Sequence, residues 1–572
     1  MATYTYPRYD YVKPAELSGG AATRPPVVVV GAGLVGLTMA LDLAHRGVAC
    51  VVLDDDETVS HGSRSICQAK RTLEIWDRLG VAGEMMDKGV TWNDGRVFYR
   101  DSELYQFNLQ DTPDSKFPAF INLQQYYVEQ YLVEAAQDSD LIELRWRNQV
   151  TGIDTTAADG VTVDVETPDG KYSLACDWLI AADGAHSTIR REMGLDFIGE
   201  VFQDHFLIAD IEMEVDFPVE RRFWFEPPWG PEQSALLHMQ SDNKWRLDFQ
   251  LGWDIDKEKE MKPENVIPRV KRMIGDDVEF EFEWISIYTF QCRRLEKFKH
   301  GRVFFVGDAA HQVSPFGARG GNTGVQDADN LGWKLGLVLD GRAPEALLES
   351  YDQERVPASA ESIMHSTRAT DFITPKGPVS RAFRDAVLEL ARNYPFARAL
   401  VNSGRLSTPT LLRDSPLNSY NVGFNGTGVP LGWPCPSVPV EAQYNGGDAV
   451  SHLPDALGGG FCGLYFAETE GDIPGDILSG LLDLAGAELP VTTFLVSPLQ
   501  NAASKLRGLF DRLGAVAQAM AAEPGTFYLV RPDQHVCARW RSLDIGQLET
   551  ALHTAVAQRR SGSEQAVSGG QA

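Results

Sequence analysis

Four consecutive valines (27–30) run into Gly31, and the apolar positions then change spacing, from a continuous run to the helical period of LVGLTMALDLA (34–44). A short β-branched run followed by a 3.6-residue period predicts a buried parallel strand feeding a helix. The pattern repeats in the strand CVVLD (50–54) and the helix KRTLEIWDRLG (70–80), so residues 27–194 read as α/β with a parallel sheet. Residues 195–300 change character. FWFEPPW, KWRLDFQLGW and FEFEWISIYTF are rich in aromatics and alternate with polar residues, which suits an antiparallel sheet with one face buried. The α/β signal returns at RVFFVGDAAH (302–311), and a long helical stretch carries residues 301–405 back into the first domain. Residues 406–450, dense in Pro, Gly, Asn and Ser, read as a linker. A last unit, 451–560, alternates strands (GLYFAE, TTFLV, TFYLVRP) with a helical stretch over SKLRGLFDRLGAVAQAM (504–520) and a closing helix at 544–557. Residues 1–26 predict an extended surface arm and 561–572 a disordered tail; no internal repeat is visible.

Composition narrows the class. A chain of 572 residues, 43% apolar and 23% charged, is globular material for about two to four domains. The formal charge of −28 disfavours a nucleic-acid partner, since a phosphate backbone needs a basic stripe. Seven cysteines without a C-x-x-C pair argue against a zinc ribbon or disulfide framework and fit a reducing, cytoplasmic setting. The first twenty residues lack the basic cap and apolar stretch of a signal peptide. Val27–Ala44 could pass for a membrane span, but Asp42 and the Gly31-Ala32-Gly33 turn count against it, so no membrane partner is expected. A homodimer stays open.

Three motifs carry chemistry. Gly31-Ala32-Gly33-Leu34-Val35-Gly36 sits between the valine strand and its helix, and Asp54, followed by Asp55 and Asp56, ends the next strand. The first glycine allows the tight turn, the second lets a pyrophosphate approach the backbone, and the third brings helix and sheet together. The phosphates then lie at the helix N-terminus, against the N–H groups of Leu34 and Val35, while Asp54 can accept from an adenosine ribose, with Asp55 beside it. Gly458-Gly459-Gly460-Phe461-Cys462-Gly463 has the same spacing but precedes a strand, so it reads as a turn. One dinucleotide site is expected, without a separate nicotinamide domain. The second motif runs from Asp177 through Asp183-Gly184-Ala185-His186 to Arg190, a strand, a polar turn and a helix start. The third is Gly307-Asp308-Ala309-Ala310-His311, then Pro315-Phe316-Gly317-Ala318-Arg319-Gly320-Gly321-Asn322. There a carboxylate can hold a polyol, and a turn before a helix can offer N–H groups to an anionic ring edge. His186 and His311 read as hydrogen-bonded loop histidines. No H-E-x-x-H, paired-carboxylate or Ser/His/Asp signature stands out, and no metal site is expected.

In this order and spacing the three motifs resemble the class A flavoprotein aromatic hydroxylases, such as the p-hydroxybenzoate and phenol hydroxylases, over residues 25–400. The closing unit, with Tyr528-Leu529-Val530-Arg531-Pro532-Asp533, resembles the thioredoxin-like domain of the larger members, without the redox C-x-x-C. The resemblance implies a Rossmann-type FAD-binding domain of the p-hydroxybenzoate hydroxylase type, an inserted antiparallel substrate sheet and a structural thioredoxin-like domain. It implies FAD as cofactor, NADPH or NADH as transient reductant, O₂ as co-substrate, and hydroxylation of a small phenolic or related aromatic through a flavin C4a-hydroperoxide. Carried over by residue, Gly31, Gly33 and Gly36 hold the pyrophosphate and Asp54 the ribose. Arg64 reaches the phosphates, and Gln125 lies near the flavin side chain. Asp183 belongs to the cofactor set, and Asp308 holds the ribityl chain. The turn at Gly320, Gly321 and Asn322 faces the reduced flavin, with Pro315 at its oxygen-reacting edge. Ala318, Arg319 and Gly321 depart from the commonest pattern.

The strand Lys244–Leu251 alternates strictly. Trp245, Leu247, Phe249 and Leu251 share one face, and Arg246, Asp248 and Gln250 share the other. The polar face is either solvated or, as the resemblance implies, turned towards flavin and substrate, with Arg246 at the flavin. Asp248 and His238 are then catalytic candidates, and His238, Asp248, Gln250 and Tyr288 substrate candidates. Trp224, Trp229 and Trp253 read as packing. Where a phenol hydroxylase places an aspartate before the helix RTLE, this chain has Ile66 and Cys67. The base that activates the substrate is therefore open. A flavin-dependent halogenase is the rival reading, although its G-W-x-W-x-I-P segment is not matched; a catalytically silent flavin-binding protein is another.

Overall fold

The computed structural model describes residues 4–19, 24–109, 114–231, 233–401, 407–442 and 450–558. The expected tail at 561–572 lies outside them. The chain divides into two compact units, one of Met1–Pro113, Phe117–Gly332 and Arg355–Pro409, the other of Asp114–Lys116, Trp333–Glu354 and Thr410–Ala572.

The first unit is built on a six-stranded sheet. Its order is Lys299–His300, Val303–Phe305, Trp178–Ala181, Val27–Val30, Cys50–Leu53 and Ile142–Arg145, and only the first strand runs antiparallel. Val27–Val30 is central and wholly buried, as its lack of polar alternation requires. The segment considered for a membrane span is this strand plus the helix Leu34–His45, in which buried Asp42 accepts from Arg46 at 2.9 and 3.0 Å. Among the described residues no helix is long and apolar enough to cross a membrane. Gln149–Asp154, Val161–Thr167 and Gly170–Cys176 form a separate antiparallel sheet. That region is therefore less uniformly parallel than its sequence suggests. The arm at residues 4–18 lies on the helix Gln125–Gln137 and its surroundings, with Tyr4 stacked on Tyr126 at 4.1 Å and Tyr9 on Trp146 at 4.5 Å.

An eight-stranded sheet covers the site. Its order is His311–Gln312, Glu281–Arg294, Ile198–Glu212, Lys244–Gly252, Ser234–Met239, Arg221–Phe225, Asp94–Tyr99 and Ser102–Asn108. The expected boundaries of 195–300 are too narrow, because 94–108 and 311–312 supply three of the strands, and Arg221–Phe225 pairs in parallel with Asp94–Tyr99. The region also contains the helix Pro263–Ile274, whose Val266, Val270 and Ile274 pack under Trp245, Leu247 and Phe249. Spacing of i, i+4, i+8 after a proline at the helix start is the signal that marks it. That helix fixes the strand's orientation: its apolar face is core, so Arg246 and Asp248 point the other way. Trp224 stacks on Phe98 at 5.1 Å and Trp229 meets Phe249 edge-on, but Trp253 is 52% exposed and is not packing.

The second unit has a seven-stranded sheet, ordered Asn421–Val422, Val536–Trp540, Phe527–Val530, Phe461–Phe466, Val491–Ser497, Arg507–Phe510 and Glu441–Ala442. Two strands and the buried side chains of Phe424, Val429, Cys435 and Val440 fall in 406–450, so its described part is sheet edge and core, not linker. Its glycines and prolines turn the chain between short contacts. The expected helix at 504–520 is also corrected. Arg507–Phe510 is a strand beside Val491–Ser497, and only Ala515–Ala519 is helical. The closing helix is Ile545–Ala555, and the glycine-rich decoy does precede a strand, Phe461–Phe466.

Candidate active site

The site begins at the turn Gly31–Gly36. Gly31 has φ +105°, and a Cβ there would lie 2.5 Å from the Ala182 carbonyl oxygen; one on Gly36 would lie 1.9 Å from that of Gly31. Both glycines are thus forced by the packing of turn, helix and neighbouring strand. At Gly33 a Cβ would meet only Glu129 Oε1, at 3.7 Å, so its backbone stands open towards a groove. The groove has a volume of about 920 Å³, and its walls include Gly33, Leu34, Val35, Asp54, Asp55, Arg64, Gln125, Asp183, Asp308, Pro315, Gly320 and Gly321. The sheet adds Arg246, Asp248, His238 and Tyr288 to the same groove. The structure therefore brings nearly all the sequence-derived candidates to one cavity.

Asp54 accepts from the Ala32 N–H at 2.5 Å and the Asp56 N–H at 2.9 Å, and burial pushes its carboxyl up to about 6 against these bonds. It shapes the turn while one edge faces the groove. Asp183 accepts from the Ile189 N–H at 3.0 Å, and its Oδ1 is buried without a partner. Burial among protein groups raises the Asp308 carboxyl, with His311 and Arg64 opposing, although its side chain is open to the groove. Gln125 donates to Glu129 at 2.8 Å and accepts from the Ser65 N–H at 3.1 Å, and Glu129 accepts from the N–H and hydroxyl of Ser60. Glu129 is 1% exposed and ties the 60–65 loop to the helix beneath the glycine turn. The sequence gives no sign of it beyond its place one turn after Gln125.

The second and third motifs are joined by Arg190, which donates to the carbonyls of Ala185 (2.9 Å) and Ala309 (3.1 Å). His311 meets Asp327 at 2.6 Å, and Asp327 also accepts from the Gly307 N–H and Arg355, so this histidine is structural. Asn322, expected to lend its backbone N–H to the turn that faces the flavin, is not on the groove wall, and its side chain is engaged inside the protein. Its Oδ1 accepts from the Ala69 N–H and the Thr72 hydroxyl, and its Nδ2 donates to the carbonyls of Cys67 and Ala318. Gly320 and Gly321 remain on the wall, at the start of the helix Gly320–Leu339.

On the covering sheet, Arg246 donates to both oxygens of Asp210, at 2.8 and 2.7 Å, and also to the Ser63 carbonyl. Its charge is matched within the protein while its side chain lines the groove. Gln250 is corrected too. It accepts from the N–H and hydroxyl of Ser234 at 3.1 Å and donates to Asp204, away from the groove. Period two puts it on the right face, but that face is longer than the cavity.

His238, Asp248 and Tyr288 behave differently. His238 Nε2, Asp248 Oδ1 and the Tyr288 hydroxyl are buried on the groove without partners. Asn122 Nδ2 lies 3.4 Å from His238 Nδ1 and donates to the Met239 carbonyl at 2.7 Å, while Asn122 Oδ1 accepts from Trp92 Nε1 and Cys67. With the amide held in that sense, His238 Nδ1 accepts and Nε2 carries the proton. Burial, with Arg221 and Arg246 nearby, holds this imidazole well below its usual range, so it is neutral. Burial pushes the Asp248 carboxyl up to about 6 and the Tyr288 hydroxyl up to about 12. The wall thus presents neutral donors and one tunable acceptor.

This donor set and the open glycine turn fit FAD: N–H groups and Arg64 for phosphates, carboxylates for sugar hydroxyls, and a glycine turn beside Pro315 for the ring. Comparisons with known proteins agree. The family described as an FAD binding domain matches residues 24–366. A 12-dehydrotetracycline 5-monooxygenase/anhydrotetracycline 6-monooxygenase of Streptomyces rimosus is 31% identical over 90% of this chain and 95% of its own. A 3-(3-hydroxy-phenyl)propionate/3-hydroxycinnamic acid hydroxylase of Mycolicibacterium smegmatis is 27% identical over 93% of this chain and 92% of its own. Among solved structures, aklavinone-11 hydroxylase with FAD and aklavinone superposes with a TM-score of 0.75 at 22% identity, covering 93% of this chain and 99% of that one. The family match spans more than half of the chain and runs through all three motifs, so the chain belongs to the FAD-binding-domain family and is a flavin-dependent aromatic monooxygenase.

Proposed function

We propose that the protein hydroxylates a phenolic ring, taking electrons from NADPH or NADH and oxygen from O₂. The observation that carries this reading is the set of unpartnered groups on the cavity wall, His238 Nε2–H, Asp248 Oδ1 and the Tyr288 hydroxyl. Bound FAD supplies the activation of oxygen; the chain binds, orients and excludes water. Gly33, Leu34, Val35 and Arg64 would hold the phosphates, Asp54 the adenosine ribose, Asp308 the ribityl hydroxyls, and Gly320 and Gly321 the ring edge. Asp248, ionised above about pH 6, accepts the phenolic proton. Proton loss enriches the ring for attack at the adjacent carbon. His238 Nε2–H and the Tyr288 hydroxyl then donate to the phenolate oxygen, which orients the ring. No dedicated nicotinamide fold is present among the described residues, so the reductant binds transiently.

We take fused-ring phenols as the substrate class from the tetracycline and aklavinone relatives, while the hydroxyphenylpropionate hydroxylase is named for a monocyclic phenol. We also read the second unit as thioredoxin-like, from its βαβ start, two antiparallel strands and closing helix; Cys462 and Cys537 in its core are buried and unpaired, which supports a structural role. The test is a screen of monocyclic and fused-ring phenols against the FAD-loaded protein, scored by hydroxylated product. A phenol should stimulate NAD(P)H oxidation and be converted. In Asp248→Asn, product per NAD(P)H consumed should fall at least about tenfold while FAD is retained. Equal coupling in wild type and variant would remove Asp248 from the mechanism.

A further inference from the structure

A second cavity, of about 350 Å³, adjoins the groove and shares Arg221 and Phe316 with it. Its volume is at the lower end of the ~300–1,000 Å³ usual for ligand sites, and its remaining wall is mostly apolar, with Phe223, Phe372 and Ile373. The exception is Arg368, which with Arg221 gives this apolar chamber two cations. Neither has a carboxylate within ion-pair distance among the described residues. Neighbouring arginines do, Arg222 with Glu220 at 2.8 Å and Arg384 with Glu226. In a chain with 80 acidic and 52 basic residues, two arginines without an acid, both on one cavity, are positioned for an anion from outside the protein. Phe383 and Leu400 are also on this wall, 59% and 47% exposed. As the lip of a chamber that admits an aromatic body, their exposure has a use.

We propose that this cavity is the outer chamber of the substrate site. It receives the acidic end of an extended, fused-ring aromatic whose phenolic end reaches His238 and Asp248; the proposal rests on the reaction assigned above. Arg221 stands at the junction, close enough for its charge to act on both His238 and Asp248. Arg368 marks the far end. The net charge of −28 repels an anion at long range, so capture depends on these two local charges.

The experiment compares two probes on the FAD-loaded protein without reductant: a monohydroxyanthraquinone, and its analogue with a carboxylate on the opposite terminal ring. Binding is read from perturbation of the flavin spectrum. The acid should bind about tenfold tighter than the neutral probe, and added salt should shrink that preference. Arg368→Gln should abolish most of the preference while leaving the neutral probe unaffected, and Arg368→Glu should reverse it. Arg368 is solvent-exposed, and an unchanged flavin spectrum shows that each variant is folded. No acid preference in the wild type, binding of neither probe, or a preference that survives Arg368→Gln overturns the proposal. Acid-selective binding without hydroxylation of any phenol would refute the assigned reaction alone. Hydroxylation of phenols without acid selectivity would refute the outer chamber alone.

Discussion

Asp248 shows how a single residue can be costly to the fold and useful to the site. Its carboxyl is pushed up to about 6 by burial, against the lowering effect of Arg246 and Arg221, whereas an unfolded aspartate titrates near ~3.9. The folded state therefore holds this proton more tightly than the unfolded one. Its ionisation weakens the fold as pH rises from about 4 through about 6, by roughly 2–3 kcal/mol in total, and below that window the cost vanishes. Asp248→Asn is neutral at every pH. It should raise the unfolding free energy at pH 8 by a fraction of that amount and change it little near pH 4, while product yield falls. Urea unfolding at the two pH values reads the first effect. A difference from wild type that is the same at both pH values would show that the carboxylate is not strained by its surroundings. The neighbouring residues divide by what already satisfies them. Arg246 and Gln250 share the strand face with Asp248, but Asp210 and Ser63 engage the first, and Ser234 the second. Period two reveals a face; it does not reveal partners that arrive from other strands.

At the scale of elements, the helix Lys70–Arg78 has no side-chain cap of its own. Asn322, some 250 residues later in sequence, supplies one by accepting from the Ala69 N–H at 2.8 Å and the Thr72 hydroxyl at 2.6 Å. Removing it by Asn322→Ala leaves those donors and the Cys67 carbonyl unpaired in a 1% exposed setting. A loss of about 2–4 kcal/mol is expected from thermal or urea unfolding, together with weaker FAD retention, because the same turn carries Gly320 and Gly321. Loss of FAD without loss of stability would return Asn322 to a cofactor role. The strand–turn–helix motifs were legible because each is local: Val27–Val30, Gly31–Gly36 and Asp54 lie within one βαβ unit. The clamp was not, because capping at long range leaves no local pattern. Likewise Arg507–Phe510 lies in a stretch whose Leu506, Leu509 and Phe510 spacing suits a helix, and only its parallel pairing with Phe494–Ser497 makes it a strand.

Over the whole molecule, the sequence motif Tyr528–Asp533 has a structural explanation inside the second unit. Arg531 is fully buried and donates to Glu354 at 2.5 and 3.2 Å and to Asp533 at 3.0 Å. Lys334 also meets Glu354, at 2.7 Å, and Trp333 Nε1 donates to Asp533 at 3.1 Å. Burial alone would raise both carboxyls; Arg531 holds Glu354 and Asp533 well below the usual carboxylate range. These depressed acids contribute stability that is present above about pH 4 and lost as pH falls through their folded values. Arg531→Met leaves two buried carboxylates short of charge, which should cost about 3–5 kcal/mol at pH 7–8. The groove lies wholly in the first unit, so flavin binding to the folded variant should persist. The pH dependence separates charge from packing. As pH falls towards 4, the wild type keeps the benefit of its ionised acids, whereas the variant gains by protonating acids it can no longer pair. The gap between the two should therefore narrow. A gap that stays constant from pH 8 to pH 4 would mean that Arg531 acts through the volume of its side chain, and that the cluster contributes no net electrostatic stability.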